Sequence, residues 1–197
     1  MFDLLFKSKI RQRIILLFIY NQNEEYRLSE IARLIKASIG TVQRELNKLL
    51  ANDFIVYKKN KELNIKIYKL NDKYSFLQEL ESIIRKTFGI EIVLKEKLVK
   101  IREINLAYIF GSYAKGGLKS QSDIDLFVVG NPEEKSIFRA IVEVENLFNR
   151  EIDYHVCQKE EYLANLKKKK FFKETLVQPI LLIGDKNEFE RIIKSAN

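Results

Sequence analysis

The stretch that most constrains this chain runs from Phe110 to Leu126. An apolar run over 104–110 ends at Gly111-Ser112, and ten residues later a second run opens Asp123-Ile124-Asp125-Leu126. Short apolar runs rich in β-branched and aromatic residues predict strands. Side chains alternate along a strand, so Asp123 and Asp125 project to one face, roughly 6–7 Å apart. Ile124 and Leu126 turn toward the core. Two carboxylates on one face repel unless a cation sits between them. Hard oxygen donors suit Mg2+, which takes a couple of carboxylates and completes its shell with water and substrate phosphates. Gly111 lets a phosphate approach the backbone, Ser112 offers a hydroxyl, and the N–H groups opening the next helix form an anion site. Lys115 adds positive charge there.

A third acid fits the same plan. Glu151-Ile152-Asp153-Tyr154-His155-Val156 reads as a strand with Asp153 projecting inward. Placed beside the pair, Asp153 would ligate a second metal and take a proton from an attacking hydroxyl. A cation on one side and a phosphate cradle on the other is the equipment of phosphoryl or nucleotidyl transfer. His155 and Cys157 share the face of Asp153 by period two and are read as packing residues.

The rest of this half alternates strand and helix: helices at 74–88 and 90–100, the first stopped by Gly89, strand 104–110, helix 112–119 and strand 123–129. A helix over 133–149, strand 151–157, helical material through 159–177, the apolar run Ile180–Ile183 and a terminal helix follow. Such alternation predicts an α/β layer with helices on its faces. Lys167–Lys170 reads as a solvated helix face.

The first third differs in charge. Residues 1–70 hold 14 Lys/Arg against 7 Asp/Glu, whereas 71–197 hold 21 against 20, so nearly all of the +8 net charge sits at one end. A basic module joined to a balanced one suggests a polyanion-binding head on a body with another task. Ile10, Ile14, Leu17 and Phe18 predict a helix over 7–21. Ser29 is expected to cap a short helix through Ile35, and Ser38 a third helix to Asn52 with Val42, Leu46 and Leu49 inward. Phe54–Tyr57 and Ile65–Tyr68 flank the polar turn 58–62 as a hairpin. Three helices and a basic hairpin make a winged helix-turn-helix. Its second motif helix would meet base edges through Ser38, Gly40, Thr41, Gln43 and Arg44, with Asn47 and Lys48 nearer the phosphates. Lys58, Lys59 and Lys61 of the wing would follow the backbone or minor groove. Double-stranded DNA is the expected partner.

Two resemblances carry these readings further. Ser29–Leu50 resembles winged-helix transcriptional regulators of the ArsR-like kind. Gly111-Ser112-Tyr113-Ala114-Lys115-Gly116 with Ser122-Asp123-Ile124-Asp125-Leu126 resembles the minimal nucleotidyltransferases of the DNA-polymerase-β-like superfamily, over about residues 88–185. That resemblance implies a mixed sheet flanked by helices and a metal-binding pair in Asp123 and Asp125. It also implies Asp153 as third acid, and Gly111, Ser112, Lys115 and Ser122 around the nucleotide. Lys115 stands where arginine is usual, which keeps the charge and loses the bidentate fork. Relatives fused to winged helices often lack the third acid, so Asp153 favours retained catalysis.

The expected architecture is therefore α+β or α/β in two domains: winged helix 1–72, connecting helix 73–89, nucleotidyltransferase fold 90–197. The expected activity is transfer of a nucleotide monophosphate, AMP from ATP with two Mg2+, onto a hydroxyl of a protein or small molecule. Minimal nucleotidyltransferases of this look include antitoxins that adenylylate partner toxins, which makes a protein acceptor a candidate. The competing reading is a transcriptional regulator whose nucleotidyltransferase-like domain is idle and senses nucleotide or mediates assembly. One cysteine, Cys157, excludes a disulfide framework and a multi-thiolate metal site. No window nears ~18 uncharged apolar residues, and no leader pattern opens the chain, so a cytoplasmic location with no membrane partner is expected. A homodimer fits a helix-turn-helix head, although no heptad seam enforces it.

Overall fold

A computed structural model describes residues 8–60, 64–116, 122–166 and 168–196. The chain divides into two compact units, Met1–Thr87 with Asn146–Asn149, and Phe88–Glu145 with Arg150–Asn197.

In the first unit, α1 (Lys9–Tyr20) is capped by the Ser8 hydroxyl, which accepts from the Arg11 N–H. Seven consecutive residues, Ile14 to Tyr20, are buried, so the C-terminal half of this helix lies in the core on every side. Then come β1 (Tyr26–Arg27), α2 (Leu28–Leu34), α3 (Ile39–Ala51), β2 (Ile55–Asn60) and β3 (Ile65–Leu70). Ser29 does not cap α2. Tyr26 and Arg27 pair with Tyr68 and Ile67 of β3, and the helix starts directly after that short strand. Arg27 takes the cap position, its N–H reaching Glu30. Ser38 caps α3 as expected, accepting from the Thr41 N–H. Val42, Leu46 and Leu49 are buried. The three strands form an antiparallel sheet in the order β1-β3-β2. Lys58, Lys59 and Asn60, expected in the turn, continue β2 opposite Ile67, Lys66 and Ile65. Alternation there places Tyr57 and Lys59 on one face and Lys58 on the other. Helix α4 (Leu77–Phe88) closes the segment.

The second unit holds α5 (Ile90–Leu98), β4 (Ile104–Phe110), α6 (Gly111–Gly116), β5 (Ile124–Gly130), α7 (Glu134–Phe148, in this unit up to Glu145) and β6 (Ile152–Cys157). The helices α8 (Lys159–Leu166) and α9 (Lys170–Glu174), strand β7 (Ile180–Ile183) and α10 (Lys186–Ala196) complete it. Gly89 separates α4 from α5 in extended backbone (φ −61°, ψ 168°) at the start of α5, rather than as a left-handed stop. The expected helix over 112–119 is described only to Gly116. The helical segment expected over 159–177 is two short helices, and Lys168 and Lys169 fall between them instead of on a helix face.

The sheet order is β6-β5-β4-β7. Strand β4 runs antiparallel to β5 and β7, while β5 and β6 are parallel, so the sheet is mixed. A parallel pair needs a crossover, and α7 supplies it. One face gathers Tyr108, Phe110, Phe127 and Val129 with Tyr162, Leu166, Phe172, Leu176 and Phe189 into an aromatic core. Ala107, Ile109, Leu126 and Val128 on the opposite face are completely buried. Burial on both faces of β4 and β5 leaves the strand ends and the exposed edge strand β6 for a site on this sheet. No helix of the described residues is long and apolar enough to cross a membrane.

Candidate functional site

The apolar strand β4 delivers Gly111 to the sheet end with φ +73°, the left-handed region that glycine tolerates at least cost. A Cβ built on Gly111 would lie 2.9 Å from the Asp125 Cγ. The absent side chain therefore lets the turn press against that carboxylate. Strand register sets the neighbours: Asp125 is opposite Phe110 on β4 and opposite Asp153 on β6. Asp125 is half-buried between the completely buried Ile124 and Leu126. Asp123 and Asp153 are exposed. Burial raises the Asp125 carboxyl above the ordinary carboxylate value, and the charges of Asp153 and then Asp123 raise it further, against smaller opposing effects of His155 and a backbone hydrogen bond.

Around these acids, the hydroxyls of Ser112 and Ser122 are hydrogen-bonded to each other, and the Arg150 guanidinium donates to the Ser122 carbonyl. Lys115 is exposed in the last turn of α6. Tyr113 is completely buried and donates to Glu91 at 3.2 Å, which fixes α6 against α5. Sequence reasoning did not single out Arg150, and no spacing marks it, because its partner is a backbone carbonyl 28 residues away. It also read His155 as a packing residue. The residue is exposed, with its ring 5.2 Å from Phe171 and edge-on to it. Cys157 is half-buried against the aromatic core, and burial, aided by Glu161, pushes its thiol up to about 11. Among the described residues no group of three or more His, Cys, Asp or Glu side chains is gathered to hold a metal ion. The donor chemistry at Asp125 nonetheless suits a hard cation, since clustered carboxylates disfavour one another's charge.

On α3 of the first unit, Ser38, Gly40, Arg44, Asn47 and Lys48 are exposed and Thr41 and Gln43 half-exposed. Several are tied to one another: Ser38 to Thr41 at 2.9 Å, Gln43 to Asn47 at 2.9 Å, and Arg44 to Thr41 at 3.4 Å. Lys48 pairs with Glu45 at 3.1 Å, and Glu45 also binds Arg11 at 2.6 Å. Glu45 is buried, which raises its pKa, but the hydrogen bonds and charges of Arg11 and Lys48 more than reverse this and hold it below the usual range. Lys58 is paired with Glu25 at 2.5 Å. Lys59 is exposed, and Lys61 lies outside the described residues.

Comparison with curated proteins finds no match. Solved structures give weak similarity. A mutant of the toxin–antitoxin MntA-HpeT aligns with 55% of this chain and 84% of its own at 15% identity and TM-score 0.39. A toxin–antitoxin with AMP-PNP aligns with 52% and 82% at 19% identity and TM-score 0.36. Reduced HlyU from Vibrio cholerae aligns with 42% and 79% at 12% identity and TM-score 0.34. Residues 91–177, from α5 past α9 and including Asp123, Asp125 and Asp153, match the family described as nucleotidyltransferase domain.

Proposed function

We propose that this protein transfers a nucleotide monophosphate, AMP from ATP, onto a hydroxyl of a protein or small molecule, with Mg2+, and that residues 1–72 bind DNA. The observation that carries the transfer reading is Asp125 in register with Asp153 on the parallel neighbour strand, against a glycine turn that could not accept a side chain. Asp125, with Asp123 and Asp153, would hold Mg2+, which when bound offsets charge on the donor phosphates and the departing pyrophosphate. Asp153, exposed at the sheet edge, is the acid available to take the proton from the attacking hydroxyl. Gly111 and Ser112 open α6, where backbone N–H groups and Lys115 would orient the phosphates. The Ser112–Ser122 contact ties the residues before β5 to this turn, and Arg150, just before β6, holds the same residues through the Ser122 carbonyl. Positioning of this kind is most of what the protein contributes to phosphoryl chemistry. Toxin–antitoxin systems supply a model acceptor: a toxin in complex with its antitoxin is described as tri-AMPylated in Shewanella oneidensis.

For the first unit, the basic balance and the exposed face of α3, followed by a lysine-bearing hairpin, support a winged helix-turn-helix that docks on double-stranded DNA. The competing reading, an idle domain that senses nucleotide, parts from this one only in turnover. With Mg2+, labelled ATP and the acceptor, the wild type releases pyrophosphate, and Asp123→Ala/Asp125→Ala abolishes release while its thermal unfolding stays cooperative. Nucleotide binding without release in the wild type favours the sensor. Equal turnover in the double variant refutes the assignment.

A further inference from the structure

Beside the acids lies an aromatic surface that the transfer chemistry leaves unused. Phe171, at the start of α9, is 42% exposed, whereas its neighbour Phe172 is buried in the core. A large apolar ring held in solvent costs free energy that an inward rotation or a polar residue would avoid. The ring is fixed all the same: its centroid is 5.2 Å from that of His155 (interplanar 77°), 6.2 Å from Phe110 (84°) and 6.4 Å from Phe127 (40°). Each contact leads to the carboxylates. Phe110 is the register partner of Asp125, and His155 follows Asp153 by two residues on the same strand face. That step is roughly 6–7 Å along a strand, comparable with the span from a nucleotide's α-phosphate across its ribose to its base.

We infer that Phe171, with His155 beside it, is the seat for the base of the donor nucleotide. The inference rests on the transfer reading and adds to it the residues that read the base. A ring face set next to a phosphate-binding turn takes a flat heterocycle by stacking, and stacking favours the larger purine surface without needing base-edge hydrogen bonds. Phe171 binds the base and has no part in the chemical step, whereas Asp123, Asp125 and Asp153 meet the phosphate end.

The test separates base from phosphates by calorimetric titration with Mg2+-ATP and, in parallel, with Mg2+-tripolyphosphate, which lacks a base. Wild type binds ATP more tightly than tripolyphosphate. Phe171→Ala, and Phe171→Leu, which keeps the apolar bulk, lose roughly 5- to 150-fold in ATP affinity and nothing in tripolyphosphate affinity. Phe171→Trp retains the preference. Unchanged ATP affinity in Phe171→Leu overturns the inference, as does an equal loss for both ligands, which would mean that the ring only supports the fold. Wild type binding both ligands alike removes the seat and spares the transfer reading. Wild type binding neither removes both.

Discussion

Gly111→Ala is the substitution most sharply constrained by the geometry. Two costs add. An L-residue at φ +73° bears a left-handed strain of about 1–2 kcal/mol. The new methyl also meets the Asp125 carboxyl carbon 2.9 Å away. The backbone of Asp125 is held by pairing on both sides, so its side chain must leave its preferred rotamer at about 0.5–1.5 kcal/mol. Restricting the unfolded chain returns about 0.4–1 kcal/mol. The net loss is about 0.5–3 kcal/mol, at roughly 2–4 °C in Tm per kcal/mol for a chain of this size. Urea unfolding of wild type, Gly111→Ala, Asp125→Ala and the double variant isolates the second cost. With the carboxylate gone the methyl has room, so the double variant is more stable than additivity allows by about 0.5–1.5 kcal/mol. Strict additivity would mean that the turn does not touch Asp125, and the picture of a glycine shaped around that acid would be wrong.

Two further outcomes follow from the first unit. Because Glu45 is held below its ordinary value of 4.5, its contribution is present above that pH and drains away as pH falls through the lowered folded value. Glu45→Gln costs about 1–2 kcal/mol at neutral pH, reduced by the solvent access of Arg11 and Lys48. It also flattens the acid limb of a urea-midpoint profile, and an unchanged limb would contradict the pairing. In mobility-shift titrations against salt, Lys59→Ala lowers the slope of log affinity by about 1, and Arg44→Ala weakens binding. Lys58→Ala does less than Lys59→Ala, because Glu25 already holds Lys58 at 2.5 Å; the reverse order would remove the hairpin from the interface.

The acids at the sheet end were legible because period-two alternation and a glycine turn are local facts. Alternation expects Ile124 and Leu126 inward and both are completely buried, whereas Asp123, expected to open the strand, lies just before β5. Ser38 was legible for the same reason, since a cap bonds three residues along. Features decided by distant partners were not. Tyr26–Arg27 becomes a strand only because Tyr68 and Ile67 arrive beside it, and that displaces Ser29 from the cap. Lys58–Asn60 extend β2 because the hairpin ladder still finds partners there. The role of Phe171 depends on α9 folding over Phe110 and His155, and nothing in Lys170-Phe171-Phe172 predicts which ring goes inside.

Buried Glu45 and half-buried Asp125 are opposite cases of an acid withdrawn from water. Burial penalises the charge of both. For Glu45 the chain supplies Arg11 and Lys48, and the carboxyl ends below its ordinary value. For Asp125 the neighbouring charges are chiefly Asp153 and Asp123, with His155 only partly opposing, and the carboxyl ends above it. By linkage, ionised Asp125 costs the folded unit stability as pH rises from the ordinary value through the folded one, the opposite sign to Glu45. Under the proposed transfer reading the missing compensation would come from a hard cation carried with the donor phosphates, a partner that carboxylates accept. On that reading, a cation between the acids would let the phosphate end of the donor lie beside them, which leaves the uncharged base for the aromatic surface at Phe171.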